Sequence, residues 1–313
     1  MGPELFRAVE ENGACLDLSD RSKLRVSGAD RVRYLNGQVT NDVRKATAQE
    51  ALYACVTSLK GRIEADIFLH STPEEDCLLV DAEAGLRESL ALRLEKYIVA
   101  DDVIVSDVTD EWKLLHVFGP AIAVLEEWCS QQSAGIHRIN ATRLGQPGVD
   151  IWIAASSPLP SWPGLMLSAE DAEALRIIRG VPRWPHELNA DAFPQEARLE
   201  SRAMDFTKGC YIGQEILSRI KTTGKMPRAL VSWTAQSSSD AIPADRLPQR
   251  LYFEDAQGVR HEAGAITSAT RHPLLDRWVG LGYVRQGEAQ AHSVLLAGDA
   301  LPSISIDVNY LKA

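Results

Sequence analysis

The chain has 313 residues, of which 45% are hydrophobic, and its formal net charge is −10. This length predicts about two domains with enough apolar residues for a buried core. The acidity disfavours a general nucleic-acid coat, which needs a broad basic surface. Because the sequence shows no signal-peptide pattern and no run of about eighteen apolar residues, we expect a cytoplasmic protein without membrane contact.

The first part of the chain mixes strand and helix patterns. Leu24 and Val26 predict a strand that ends at Gly28, and Asp30 can then cap a short helix. Two β-rich runs joined near Lys60-Gly61 predict a hairpin, and leucines at every fourth position predict an amphipathic helix. The predicted segments are 31–36 (helix), 51–58 and 63–69 (strands), and the helix around Leu86, Leu90 and Leu94.

The same mixture continues to about residue 224. The run 112–118 predicts a buried strand, and Gly119-Pro120 opens a helix that reaches Trp128. A further strand is predicted at 151–155. Ser168 and Asp171 form a capping box for the next helix, which ends at Gly180.

After Gly224 the helical periodicity fades and short β-rich runs separated by turn residues take over. The runs are 229–233, 250–253, 264–268, 279–284, 294–296 and 304–308. This pattern is typical of a small β-barrel or sandwich. We therefore predict an α+β body at residues 1–224 and a C-terminal β-barrel domain at residues 225–313.

Cysteine and histidine spacing argues against a metal site. The five cysteines are scattered and form no CxxC pair, which favours a reducing compartment over a disulfide framework. The seven histidines show no HxxxH or HExxH spacing. We therefore expect neither a cysteine-ligated cluster nor a structural zinc held by this chain alone. The cysteines are Cys15, Cys55, Cys77, Cys129 and Cys210.

The segment 205–215 carries the clearest chemical signal. Isoleucines at 212, 216 and 220 predict a helix that begins near Tyr211 and turns an apolar stripe to the core. Lys208, Gly209 and Cys210 then form a tight turn at its N-terminus. The helix dipole and Lys208 both favour the thiolate, so Cys210 is a candidate reactive group with Lys208 beside it. The alternative is a small buried cysteine without chemistry.

The octapeptide Lys-Gly-Cys-Tyr-Ile-Gly-Gln-Glu at 208–215 resembles the signature of the YgfZ family within the GcvT-like superfamily. Further blocks that resemble the family lie at 26–30, 34–42, 60–62, 179–182, 194–196, 264–268 and 282–284. The functional cysteine of the motif maps onto Cys210. The other motif positions are Lys208, Gly209, Tyr211, Gly213, Gln214 and Glu215.

This resemblance implies a multi-lobed body around a central channel that holds a folate, either tetrahydrofolate or a one-carbon derivative. It also implies support of iron–sulfur cluster assembly or repair and of tRNA modification. The implied partners are folate and iron–sulfur client or assembly proteins, with tRNA involved indirectly, and we expect a monomer. Arg21, Arg176 and Arg219 are the candidate folate contacts, since cations suit the glutamate tail of folate.

One departure from relatives leaves three interpretations open. The aminomethyltransferase of the superfamily has a paired-acid stretch after the hairpin glycines, whereas this chain has Ala65-Asp66 there, with Glu64 as a possible substitute. Loss of one acid counts against aminomethyl transfer, which needs a proton-handling carboxylate. We therefore expect a folate-dependent accessory protein. The alternatives are a tetrahydrofolate-dependent aminomethyltransferase and a binding scaffold whose cysteine is structural.

Overall fold

A computed structural model describes residues 1–72, 76–130, 136–158, 161–237, 242, 246–287, 294–298 and 304–310. Seven α-helices lie within these residues: α1 (Pro3–Asn12), α2 (Arg31–Gln38), α3 (Arg87–Glu95), α4 (Leu125–Ser130), α5 (Ala169–Ile178), α6 (Glu200–Ala203) and α7 (Gln214–Thr223). In the described part of the chain no helix is long and apolar enough to cross a membrane.

The strands of the body are β1 (Ala14–Asp17), β2 (Ser22–Ser27), β3 (Leu52–Thr57), β4 (Ile63–Thr72), β5 (Cys77–Ala82), β6 (Ile104–Asp107), β7 (Trp112–Phe118), β8 (Ile136–Ala141), β9 (Gly148–Ala154) and β10 (Met166–Leu167). They form two five-stranded sheets, ordered β3-β4-β5-β2-β6 and β10-β1-β7-β9-β8. The predicted hairpin is the antiparallel pair β3 and β4.

The first sheet is covered by α2 and α3. Tyr34 and Leu35 of α2 and Leu90 and Leu94 of α3 pack into one core with the strand residues. The four-residue leucine spacing therefore predicted the buried face of α3 correctly, because positions four apart share one side of a helix. This packing fixes the β3–β4 hairpin, which carries residues of the candidate site.

The C-terminal strands close into a barrel, as the short β-rich runs predicted. They are β11 (Arg228–Ala235), β12 (Gln249–Glu254), β13 (Arg260–His272), β14 (Arg277–Arg285), β15 (Val294–Ala297) and β16 (Ile304–Tyr310), in the order β11-β14-β13-β12-β15-β16. Trp233 fills the barrel interior and donates to the Leu281 carbonyl at 3.1 Å. Gly280 makes room for it, since a Cβ there would lie 2.4 Å from the indole. The predicted α+β architecture with a C-terminal barrel is thus confirmed.

Body and barrel share a continuous apolar core. One cluster combines Cys55 and Ile63 of the body with Leu230, Leu281 and Tyr283 of the barrel. The passage from one to the other lies between α7, which ends against the left-handed Gly224, and β11. Division of the chain at residue 224 into two domains remains a prediction, which fits this position.

Three local predictions differ from the structure. Asp30 precedes α2, but its carboxylate accepts a hydrogen bond from the Asp102 backbone and does not cap the helix. The helix predicted from Gly119-Pro120 starts as a 3-10 turn and becomes α4 only at Leu125. Helix α7 begins at Gln214, not near Tyr211, because the left-handed Gly213 precedes it.

Candidate functional site

A central cavity of about 180 Å³ lies between the two body sheets and the segment around α5. Its walls combine apolar groups with an unusual number of charged ones. The apolar lining includes Leu16, Phe68, Leu144 and Leu167, and the charged lining includes Asp17, Asp20, Arg21, Asp66, Glu83, Arg143, Glu173, Arg176, Arg183 and Arg202. Concave sites of this mixed kind are the usual places where small molecules bind.

The hairpin of β3 and β4 supplies a carboxylic acid and a phenol to this cavity. Tyr53 lies opposite Phe68 in the β-ladder, and its hydroxyl donates to Asp66 Oδ2 at 3.1 Å. The other carboxylate oxygen, Oδ1, is buried without a partner among the described residues. Burial raises the pKa of Asp66 to about 6 despite the nearby Arg21. A carboxyl with such a pKa can hold or release a proton near neutral pH.

Glu64 does not take the place of the missing acid. Its carboxylate accepts from Arg93 Nε at 2.5 Å, outside the cavity. Asp66 and Phe68, two positions apart on β4, both line the cavity, whereas Glu64 lies where the register of the ladder shifts between Ala65 and Ile63. Asp66 is therefore the proton-handling candidate of this hairpin. Asp66 was predicted only as the remaining acid of an incomplete pair, and Tyr53 was not predicted as a site residue, because their contact depends on the pairing of β3 with β4.

Arg21 lies in the cavity wall, as expected for a candidate ligand contact. Its Nε donates to Asp81 and its Nη1 to Glu83, both at 2.5 Å. Nη2 is buried and finds no acceptor in the parts of the chain that the structure covers. An unsatisfied buried guanidinium nitrogen is costly. Among the described residues that line the cavity, Arg21 thus carries a buried donor and Asp66 a buried acceptor without a partner.

Arg176 also lines the cavity, but its guanidinium is fully engaged. Nε and Nη2 donate to Glu173, Nη1 donates to Glu187 at 2.7 Å, and Nη2 also reaches Ser268 Oγ at 2.8 Å. Ser268 belongs to barrel strand β13. Arg176 therefore connects α5 to the barrel. Because its N–H groups already donate to these partners, the geometry argues against the predicted contact with folate.

Arg176 is one link in a long series of ion pairs, which is buried for most of its length and partly exposed at Arg183 and Glu173. Burial alone would raise the pKa of Asp81, but the guanidiniums of Arg143 and Arg21 outweigh it, so the pKa lies below its usual value. Successive acids and arginines share partners in this way across both body sheets and into the barrel. In order, the series is Asp150, Arg143, Asp81, Arg21, Glu83, Arg183, Glu173, Arg176 and Glu187. The His116 imidazole is hydrogen-bonded to Asp150 at its start.

The predicted third arginine, Arg219, is in the wrong place for a contact in the central cavity. It is exposed on α7, and it does not line the cavity. Helix α7 turns Leu217, not the isoleucine stripe, fully inward. Arg219 sits two positions beyond Leu217, which directs it to the solvent side of the helix.

The octapeptide forms a loop before α7. Cys210 is exposed and lies outside the central cavity, so the expectation that it faces the cavity from a helix N-terminus is wrong. Gly209 is open on its Cβ side, whereas Gly213 has φ +87° and its Cβ position lies 2.6 Å from the Ser58 carbonyl. Gly213 is therefore the glycine that the turn requires. Gln214 and Glu215 form the first turn of α7.

The two residues that flank Gly209 and Cys210 are buried. Lys208 is 6% exposed, and its ammonium donates to the backbone carbonyls of Asn36, Val39 and Asn41. Burial lowers its pKa to about 8, against the opposing effect of Asp42. Tyr211 packs in a small apolar cluster, and burial raises its pKa to about 12. Lys208 therefore anchors the loop through these bonds, and its predicted catalytic role stays a prediction.

Comparisons with known proteins agree with this architecture. A family model described as the GCVT N-terminal domain matches residues 4–157. The chain is 25% identical to an aminomethyltransferase of Deinococcus deserti, over 98% of this chain and 87% of that protein. It is likewise 25% identical to an aminomethyltransferase of Bacillus pumilus, over 93% of this chain and 84% of that protein.

A solved structure gives the same picture for the fold. The glycine cleavage system aminomethyltransferase T from Bartonella henselae superposes with a TM-score of 0.77 at 18% identity, over 95% of this chain and 85% of that one. It shares the mixed α/β body with the C-terminal barrel. Together, residues 4–157 match the GCVT N-terminal domain, and the fold of the chain is that of an aminomethyltransferase.

Proposed function

We propose that the protein binds a reduced folate in the central cavity and has a GcvT-like, folate-dependent function. The observation that carries this proposal is the pair of unpartnered buried atoms in the cavity, Arg21 Nη2 and Asp66 Oδ1. A pterin ring offers both acceptors and N–H donors along one edge, and its flat faces suit apolar walls such as Phe68. The residues present therefore fit a folate.

The chemistry divides between ligand and protein. A reduced folate carries one-carbon units on its ring nitrogens, and this is what the bound group supplies. Asp66 holds or releases a proton beside it, and Tyr53 orients the carboxyl through its 3.1 Å hydrogen bond. Arg21 binds and orients the ligand through Nη2, because the ion pairs with Asp81 and Glu83 hold its guanidinium in place. Folate is the cofactor consistent with the match to the GCVT N-terminal domain and with relatives named aminomethyltransferases.

Calorimetry with tetrahydrofolate and its one-carbon forms tests this site. We expect the unaltered protein to bind and Asp66→Asn to weaken binding about tenfold, since an isosteric amide removes one charged acceptor. Arg219→Gln is the matched control, because this arginine is exposed on α7, and it should leave the affinity unchanged. Absence of heat and of thermal stabilisation in the unaltered protein would overturn the proposal.

Within this function we propose an accessory role in iron–sulfur cluster assembly or repair, and in tRNA modification, exerted through Cys210. The exposed thiol supports it, since a fully buried cysteine would have favoured the scaffold interpretation. Cells that lack the protein should regain cluster-enzyme activity and thiolated tRNA with the unaltered gene but not with Cys210→Ser. Full complementation by the serine variant, with folate affinity unchanged, would remove Cys210 from the function.

Aminomethyl transfer is the second candidate, and Asp66 favours it. The absent acid at Ala65 was our reason to doubt this reaction, yet the structure has a buried carboxyl in the cavity with its pKa raised to about 6. Relatives at 25% identity are also named aminomethyltransferases. Formation of methylene-tetrahydrofolate from an aminomethyl donor, abolished by Asp66→Asn but retained by Cys210→Ser, would select this candidate over the accessory role.

A further inference from the structure

The loop that carries Cys210 is fastened on both sides. On one side, the Lys208 ammonium uses its three N–H groups on the carbonyls of Asn36, Val39 and Asn41, at 2.5, 2.8 and 2.7 Å. These carbonyls lie at the C-terminal end of α2 and just beyond it, where a helix leaves acceptors unpaired and favours a cation. The bonds connect Lys208 to the end of α2 and to the segment that follows it.

On the other side of Cys210, the backbone of Ile212 is held twice. Its N–H donates to the Gly37 carbonyl at 3.0 Å, and its carbonyl accepts from Thr57 Oγ1 at 2.7 Å. Gly209 and Cys210 are exposed between these fixed points. The thiol is therefore presented on a short span, and the position of that span depends on α2 and on the β3–β4 hairpin.

One of the Lys208 acceptors also contacts the wall of the central cavity. The Asn41 side-chain amide donates to the Tyr53 carbonyl at 3.0 Å, while the Asn41 carbonyl accepts from Lys208. The Tyr53 hydroxyl then reaches Asp66 inside the cavity. Lys208, Asn41, Tyr53 and Asp66 thus form one hydrogen-bonded series from the exposed loop to the cavity.

We infer that Lys208 is a positioning residue: it fixes the Cys210 loop to the cavity wall, so that a folate bound in the cavity changes the reactivity of the Cys210 thiol. The inference rests on the proposed folate site and adds a regulation to it. A ligand that pairs with Asp66 changes the hydrogen bond between Asp66 and Tyr53. Tyr53 is in turn connected to Lys208 through Asn41. The charged groups that face the ammonium are Asp42, Asp205 and Arg44.

The first experiment needs no ligand. We expect hydrogen exchange of the backbone amides at 207–212 to become about tenfold faster in Lys208→Met, because three hydrogen bonds from a buried cation are lost. Lys225→Met is the matched control, since Lys225 is exposed just beyond α7. It should exchange like the unaltered protein. If Lys208→Met keeps the original protection of this loop, the positioning role is wrong.

The second experiment measures the iodoacetamide alkylation rate of Cys210 with and without saturating tetrahydrofolate, by mass-spectrometric mapping. We expect the ligand to change the rate about fivefold in the unaltered protein and not at all in Lys208→Met. Tyr53→Phe removes the hydrogen bond with Asp66 but keeps the three hydrogen bonds of Lys208. At tetrahydrofolate concentrations that still stabilise this variant, the ligand should no longer change its Cys210 alkylation rate.

Thermal stabilisation by tetrahydrofolate is recorded on the same samples and separates the two possible failures. No stabilisation in the unaltered protein overturns the proposed folate site itself. Stabilisation without a change in the Cys210 rate overturns the coupling, while the folate site stands. Equal ligand effects in the unaltered protein, Lys208→Met and Tyr53→Phe would likewise show that the series from Lys208 to Asp66 transmits nothing.

Discussion

At the scale of single residues, neighbouring buried carboxylates have opposite properties. Asp81 accepts from two guanidiniums, and its pKa lies below its ordinary value. Asp66 has a phenol at one oxygen and no partner from the described chain at the other, and its pKa lies above. The difference comes from pairing and not from burial, because both side chains are buried. Because Asp66 Oδ1 has no partner within the described residues, it is available to a ligand.

Asp66→Asn should stabilise the ligand-free protein at pH 7. Burial raises the Asp66 pKa from 3.8 to about 6, so the native state binds this proton more tightly than the unfolded chain does. The side chain therefore stabilises the fold below about pH 4, and this contribution is lost as the pH rises through 6. We expect the free energy of unfolding of the variant to exceed that of the unaltered protein by about 2 kcal/mol at pH 7.

Urea unfolding at several pH values measures this difference. It should shrink steadily between about pH 6 and pH 4 and disappear below, where both side chains are neutral. Asp191→Asn is a suitable control, since Asp191 is exposed outside the central cavity. A stability difference for Asp66→Asn that does not vary with pH would mean that the carboxyl is ionised throughout this range.

Among the cysteines, Cys210 should alkylate fastest at neutral pH. Cys15, Cys55 and Cys77 are buried, and burial raises the pKa of the Cys15 thiol to about 12. Burial likewise raises the pKa of Cys55 and Cys129. Exposure speeds attack on Cys210, whereas a raised pKa leaves less reactive thiolate on the buried cysteines. Brief iodoacetamide treatment and peptide mapping test this order, and equal labelling of Cys129 and Cys210 would contradict it.

At the scale of elements, the octapeptide loop depends on its contact with the β3–β4 hairpin. Thr57 Oγ1 binds the Ile212 carbonyl, and Gly213 lies directly against the hairpin turn. A Cβ at Gly61 would in turn meet Leu217 of α7 at 3.2 Å. The two glycines allow the hairpin and the start of α7 to approach each other closely.

Gly213→Ala should destabilise the protein by about 2–3 kcal/mol. The residue has φ +87°, which disfavours any side chain, and the added methyl group would lie 2.6 Å from the Ser58 carbonyl. Gly209→Ala, four positions earlier in the same loop, has open space at its Cβ position and should change stability by less than about 0.5 kcal/mol. Similar losses for both variants in thermal unfolding would refute the close contact.

At the scale of the whole molecule, the series of ion pairs joins three parts of the fold. It begins in the second sheet at Asp150, crosses to the first sheet at Asp81 and reaches the barrel through Glu187. Glu187 is fully buried and also accepts from Thr267 and Ser268 of β13. A buried pair of this kind holds two elements in register, and removal of one partner leaves the other charge unpaired.

Arg176→Met should therefore lower the free energy of unfolding by about 3–5 kcal/mol, because the fully buried Glu187 loses the cation that pairs with it. Arg33→Met is the comparison, since Arg33 is 68% exposed and its pairs with Asp30 and Asp101 lie in solvent. It should leave the free energy of unfolding close to that of the unaltered protein. Denaturation curves of the two variants that coincide would show that the buried series adds little.

The sequence by itself determined the class of fold and the identity of one motif. Turn residues between short β-rich runs predicted the C-terminal barrel, because strands alternate and turns demand particular residues. Leucine spacing predicted the buried face of α3 for the same local reason. The octapeptide stood out as eight consecutive residues, and its cysteine is indeed accessible. Each of these signals is local, so the order of residues suffices to carry it.

Only the tertiary structure decided which side chains meet. Asp66 and Arg21 are 45 positions apart in the chain, and they line one cavity because β2, β4 and β5 belong to one sheet. Lys208 was placed beside the thiol as a chemical partner, yet its carbonyl acceptors come from residues 36–41. Arg176 and Arg219 look alike as cations on helices, but one is saturated within the protein and the other points to solvent. Burial and pairing arise from packing between distant segments, and that is why local patterns could not reveal them.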